Sequence, residues 1–201
     1  MRRIPEAAYT AQPWLVHEIT GDFRLEDVWE LPAAGGGPDD FPKLLAVFDA
    51  GLEHEASLPT RLLFWLRFKI GAVLRLDRGS GGLGSRVPSL RDRLPTELRD
   101  APPPLPSKGS EFTFLYERDN ERAMEIANGT MHGVLHIGWV PDGRGGWRGQ
   151  LAVLVKPNGR FGAAYMAFIK PFRHLIVYPA LGRAWDRRWR TLNETGRLDK
   201  G

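Results

Sequence analysis

Histidine and carboxylate are the only side chains here that suit a metal, because the 201 residues include no cysteine. That absence also excludes a disulfide framework, a thiolate nucleophile and a cysteine-held cluster. Among the five histidines, His132 and His136 have the spacing of a ligand pair. On a helix they would be neighbours, but the run Met131 to Val140 alternates as a strand does. Four residues of strand separate them by about 13 Å, at roughly 3.3 Å per residue, so they cannot share one ion. The alternate positions Leu135, Ile137 and Trp139 form the more apolar face, which predicts a surface place for both histidines. No metal and no cofactor is expected.

A second set, Lys170, His174 and Tyr178, recurs every four residues near the C-terminus, where a base and a phenol could transfer protons. Advancing 100° per residue from Phe161 puts Tyr165, Phe168, Phe172, Leu175, Ile176 and Pro179 on one side of a helix. Lys170, Arg173 and His174 fall on the other side, so this stripe is expected to be solvated. Tyr165 lies within the apolar side, where its hydroxyl needs a partner, and is the leading polar residue for an internal cavity.

Other motifs carry less chemistry. Gly79-Ser80-Gly81-Gly82-Leu83-Gly84 spells the dinucleotide fingerprint, but a helical pattern precedes it and Pro88 follows it. A strand before and a helix after are required, so the segment reads as a linker. No serine sits in a nucleophile elbow, and Asp39-Asp40 read as charges favouring a helix start. Arg183, Trp185, Arg187, Arg188, Trp189 and Arg190 could stack on bases or meet an anionic lipid surface. The preferred reading has the tryptophans finishing the core and the arginines solvating the helix end.

The elements that must position these residues follow from composition and periodicity. With 42% hydrophobic and 26% charged residues and a net charge of +4, the chain reads as a soluble cytoplasmic globule. A charge that small does not argue for nucleic-acid binding. Neither a signal peptide nor a transmembrane segment is expected. A strand is predicted within Asp22 to Leu31, a helix from Asp39-Asp40 to Gly51, and a second helix from Ser57 or Thr60 through Leu74. Gly- and Pro-rich residues 77–109 predict a long irregular crossover. Four strands follow, Phe112–Glu117, Arg122–Ala127, Met131–Val140 and Trp147–Lys156, joined by short turns as an antiparallel meander. Phe112, Phe114 and Tyr116 should share a face, as should Leu135, Ile137 and Trp139, and Leu151, Val153 and Val155. A long helix over Phe161 to Trp189, bent at Pro171 and Pro179, closes the chain.

Strand, two helices, crossover, meander and closing helix is the order of the helix-grip fold. The stretch Lys156-Pro157-Asn158-Gly159-Arg160-Phe161-Gly162, with Tyr165-Met166, Lys170-Pro171-Phe172-Arg173-His174-Leu175-Ile176 and Tyr178-Pro179, resembles the C-terminal signature of an uncharacterised bacterial domain family. That family lies within the START-like, polyketide-cyclase-like and Bet v 1-like (SRPBCC) superfamily. Pro59, Leu62, Arg67 and the strand block extend the resemblance over about residues 20–182. It implies an α+β helix-grip fold, a curved antiparallel sheet around a long C-terminal helix. Its relatives fused behind NAD(P)-binding domains imply a short-chain-dehydrogenase-like partner protein.

The expected organisation is an N-terminal extension over 1–21, one helix-grip domain over 22–190 and a flexible tail over 191–201. The expected function is binding of an apolar small molecule in an internal cavity, with cyclase or dehydratase chemistry in the same cavity as the alternative. An interaction module using the basic C-terminal stretch is a third reading. The candidate cavity residues are Tyr165, Phe168, Phe172, Ile176, Phe114, Tyr116, Leu135, Ile137, Trp139 and Val153. Neither catalytic residues nor the ligand can be named from the sequence.

Overall fold

The structure is a computed structural model that describes residues 1–53, 87–102, 112–128 and 131–198. The expected second helix, the glycine-rich segment 79–84 and parts of the crossover lie outside the described residues. The architecture is α+β: a curved, open antiparallel sheet of five strands with helices packed on it. Its form is helix-grip-like.

Two short helices, α1 (Glu6–Thr10) and α2 (Leu15–Ile19), precede strand β1 (Arg24–Gly36) and helix α3 (Phe41–Glu53). After a 3₁₀ turn (Leu90–Arg93) and the short α4 (Thr96–Arg99) come β2 (Thr113–Arg118), β3 (Glu121–Ala127), β4 (Met131–Pro141) and β5 (Trp147–Pro157). Helix α5 (Gly159–Phe172) passes through a π turn (Arg173–Val177) into α6 (Tyr178–Leu198). The strand order is β1-β5-β4-β3-β2, so the meander expected from the turns pairs in sequence and β1 closes on β5.

Local chemistry fixes the connection between the two longest strands of the meander. Between β4 and β5, Asp142 Oδ1 accepts from the amides of Arg144 and Gly146 at 2.7 and 3.0 Å. Gly143 and Gly145 supply the positive φ values of 76° and 88° that this turn requires.

The sheet is buried on both faces. Inside, Leu31, Leu44, Phe48, Ile137, Trp139, Leu151, Trp185 and Trp189 form one core, joining sheet, α3 and α6. Trp185 and Trp189 therefore finish the core, while Arg183, Arg187 and Arg190 are exposed. Outside, Tyr9, Trp14, Leu15, Val16 and Ile19 pack with Val28, Val134, Val140 and Leu154 as a second core. The first 21 residues thus cover the outer face. Backbone hydrogen bonds Ile4 N to Val28 O and Glu30 N to Arg2 O, at 3.0 and 2.8 Å, also pair residues 2–4 with the edge of β1. An edge so covered is closed to other strands.

Burial on both faces overturns the surface place expected for the histidine pair. His132 and His136 point to the outer face and are buried there, because α1, α2 and the 3₁₀ turn cover it. Simple alternation also fails in β2, where a register shift between Phe114 and Tyr116 turns Leu115 and Tyr116 into the outer core. Phe112 stays with the inner core.

Candidate functional site

The inner face of β1 carries a carboxylate with 0% exposure, Asp27. Burying a carboxylate is costly unless donors replace water. Three donors do so, and all come from the closing helix. His174 Nε2 donates to Oδ1 at 2.6 Å, the Tyr178 hydroxyl donates to Oδ2 at 3.1 Å, and Arg173 Nη2 donates to Oδ2 as well. Arg173 Nη2 also donates to the Tyr178 oxygen at 3.2 Å.

This reverses the solvated reading of the Lys170, His174 and Tyr178 stripe. Tyr178 is buried, and His174 and Arg173 are half-buried toward the sheet. Gly162 and Met166 are buried on the preceding helix, whereas Phe168 and Leu175 are 54% and 77% exposed. Two features defeat the 100° projection. Asp27 demands donors and so selects the polar side of the helix, and the π turn advances less than 100° per residue. Arg173 and Tyr178, five apart, consequently share a face. Pro171 stands two residues before the π turn and lacks the amide that would have continued the α-helical ladder.

An aromatic wall completes the group. Trp29, two residues along the same face of β1, lies over Tyr178 with ring centroids 4.5 Å apart and meets His174 edge-on at 5.5 Å. Among the described residues its buried indole N–H has no hydrogen-bond partner. Glu26 is buried beside the group and faces Lys170 at 3.9 Å and Arg24 at 3.8 Å. Burial pushes the Tyr178 phenol up to about 12, against the lowering effect of Arg173. Burial disfavours the charged Arg173, yet Tyr178 and Asp27 together raise its affinity for its proton. Tyr178 is therefore a neutral donor and Arg173 a fixed cation.

A second polar group lies on the outer face. Glu121 accepts from Leu15 N at 3.0 Å, from the Tyr116 hydroxyl at 2.7 Å and from His136 Nε2 at 3.0 Å. Tyr9 bonds the other nitrogen of His136 at 2.9 Å. Beside it, Glu125 pairs with His132 Nε2 at 2.8 Å and accepts from Ser89 and from the amide of Leu90. Burial alone would raise Glu121, but the bonds from His136, Leu15 and Tyr116 hold it below the usual carboxylate range. Desolvation lowers His136 despite Glu121. Each histidine has its own carboxylate, and among the described residues no group of three or more ligating side chains forms a metal site.

The candidate cavity residues divide among several places. Ile137 and Trp139 are packed in the inner core, where the Trp139 indole donates to Gly37 O at 3.0 Å. Leu135 and Val153 are half-buried on the same face. In the β1–β5 register Val153 stands opposite Asp27. Phe114 and Tyr116 line a cleft of about 510 Å³ at the β2 edge, with Phe41, Leu98, Pro102 and Arg91. The side chains of Tyr165, Phe172 and Ile176 lie outside the described residues. Sequence reasoning passed over Asp27 and Trp29, whose only signal is the interruption of an apolar strand by adjacent acids, Glu26-Asp27.

Among the described residues no helix is long and apolar enough to cross a membrane. No curated protein and no solved structure matches the chain. A family described as "Protein of unknown function (DUF2867)" matches residues 19–180, which include the whole sheet and the Asp27 group. With well over half of its length matched, the chain belongs to the DUF2867 family.

Proposed function

We propose that this protein binds a small, largely apolar molecule against the inner face of its sheet, as the helix-grip domains of the SRPBCC superfamily it resembles do. The observation that carries the reading is the Asp27 group. A fully buried carboxylate held by Arg173, His174 and Tyr178 gives an otherwise apolar sheet-to-helix face one fixed polar anchor. Ligand sites of this kind combine apolar walls with a few placed polar groups. The half-buried Val153 and Leu135 supply apolar surface beside it.

A second reading is favoured by the same geometry. A histidine whose one nitrogen is fixed by a carboxylate has the arrangement of an oriented acid or base, so the site suits proton transfer of the cyclase or dehydratase type. The resemblance further proposes a short-chain-dehydrogenase-like partner protein and a cytoplasmic setting.

Native mass spectrometry of the purified full chain, followed by extraction, looks for a retained small molecule. Displacement of an apolar fluorescent probe then measures binding by wild type and Val153→Trp. The larger ring crowds the inner face opposite Asp27 and should weaken binding by about tenfold or more, equivalent to about 1.4 kcal/mol. Equal affinity in a folded Val153→Trp protein, or no binding by wild type, would count against the inner face as the site.

A further inference from the structure

His174 and His136 are both paired with a buried carboxylate, but they differ at the second ring nitrogen. His136 spends both nitrogens, on Glu121 and on Tyr9. His174 spends Nε2 on Asp27. Among the described residues nothing is bonded to its Nδ1, and the side chain keeps 23% of its surface exposed. A carboxylate can only accept, so Nε2 carries the proton of that bond. Arg173 already balances the Asp27 charge, and Lys170 and Arg24 stand by Glu26. In the tautomer that this bond sets, Nδ1 is the lone-pair acceptor.

The ring packed against His174 carries a donor of its own. Trp29 meets His174 edge-on, and among the described residues its buried N–H has no partner. Leaving a buried donor unpaired costs about 1–3 kcal/mol, so a ligand group that satisfied it would gain the difference. A hydroxyl is the smallest group that both donates and accepts. It can give its proton to Nδ1 and take the indole N–H on its oxygen. A ring beside it would find Trp29 on one side and the apolar face at Val153 on the other.

We propose that His174 Nδ1 and Trp29 Nε1 form a recognition site for the hydroxyl or enol group of an otherwise apolar ring compound, with Asp27 fixing the tautomer of His174. This rests on the proposed binding at the inner face and adds the chemical class that the face selects.

The test uses the full chain and two probes, 2-naphthol and 2-methoxynaphthalene, which differ in the donor hydrogen and one methyl group. Fluorescence titration of wild type should give about five- to tenfold tighter binding of the naphthol, the worth of one hydrogen bond. His174→Phe, which keeps a ring and removes the acceptor, should abolish the preference with methoxynaphthalene binding retained. Trp29→Phe removes a donor that either probe's oxygen can use, and should weaken binding of both probes while leaving the preference. Equal binding of both probes by wild type would overturn the hydroxyl site and leave the inner-face reading standing. A preference that survives in folded His174→Phe, or unchanged binding of both probes by folded Trp29→Phe, would overturn it too. Failure of wild type to bind either probe would overturn both readings.

Discussion

Two carboxylates, Glu121 on the outer face and Asp27 on the inner, show how one device can serve two ends. Each is buried on a strand, each accepts three hydrogen bonds, and each has a histidine and a tyrosine among its partners. The donors to Glu121 come from β2, β4 and α2, and Tyr9 closes the far side of His136, so the group is saturated and holds the N-terminal segment on the sheet. The donors to Asp27 come from consecutive turns of one helix, and His174 and Trp29 retain unused bonding capacity at the edge. Among the described residues Trp14 and His17 beside the outer group also have an unpaired buried nitrogen, so the difference lies in the histidines paired to the carboxylates. Both nitrogens spent and no exposure mark a structural latch, and a free nitrogen on a partly exposed ring marks a site.

The sharpest way to break this comparison is to remove each group's centre. Glu121→Ala strips the acceptor from Leu15 N, the Tyr116 hydroxyl and His136 Nε2 together, and should cost about 3–5 kcal/mol in urea unfolding. Limited proteolysis should then cut within residues 1–20 before the rest. His174→Phe removes one donor of three, the one to Asp27 Oδ1, at a partly exposed edge, and should cost less, about 1–3 kcal/mol. Similar losses for the two would remove the distinction between latch and site.

Acid should sharpen the comparison through the outer group. Glu121 is held below its usual value, so its contribution is present above about pH 4.3 and is lost as pH falls through its folded-state value. His136 is also held down, so below about pH 6.5 the unfolded chain binds protons that the native chain refuses. Both act in one direction: stability falls with pH, first at the histidine below about pH 6.5 and then at Glu121 below about pH 4.3. Below about pH 4.3 the urea midpoint should drop less steeply in Glu121→Gln than in wild type, because the carboxylate's contribution is gone. An identical slope would deny the outer pair this role.

The strands and the closing helix were legible because their signals are local. Alternation marks β3 to β5, and Asp142-Gly143 and Asp119-Asn120 mark turns. The two faces of the sheet were not legible. Alternation says that His132 and His136 share a face, but not that residues from the chain's beginning come back to cover it. The Asp27 group is hidden for a related reason. Helical projection assumes one constant pitch, and a π turn after Pro171 changes it; the need to satisfy a buried carboxylate on a strand some 150 residues earlier decides which side turns inward. A pair of acids inside an apolar strand, Glu26-Asp27, is the one local sign that such a demand exists.

The central claim is that the inner group is open to a ligand and the outer one is closed. It is tested most directly by following the imidazole nitrogen signals of wild-type protein by NMR during titration with 2-naphthol. The account predicts a saturating change at His174 Nδ1, with His132 and His136 unmoved. Saturation that moves His132 or His136 and leaves His174 in place would contradict it.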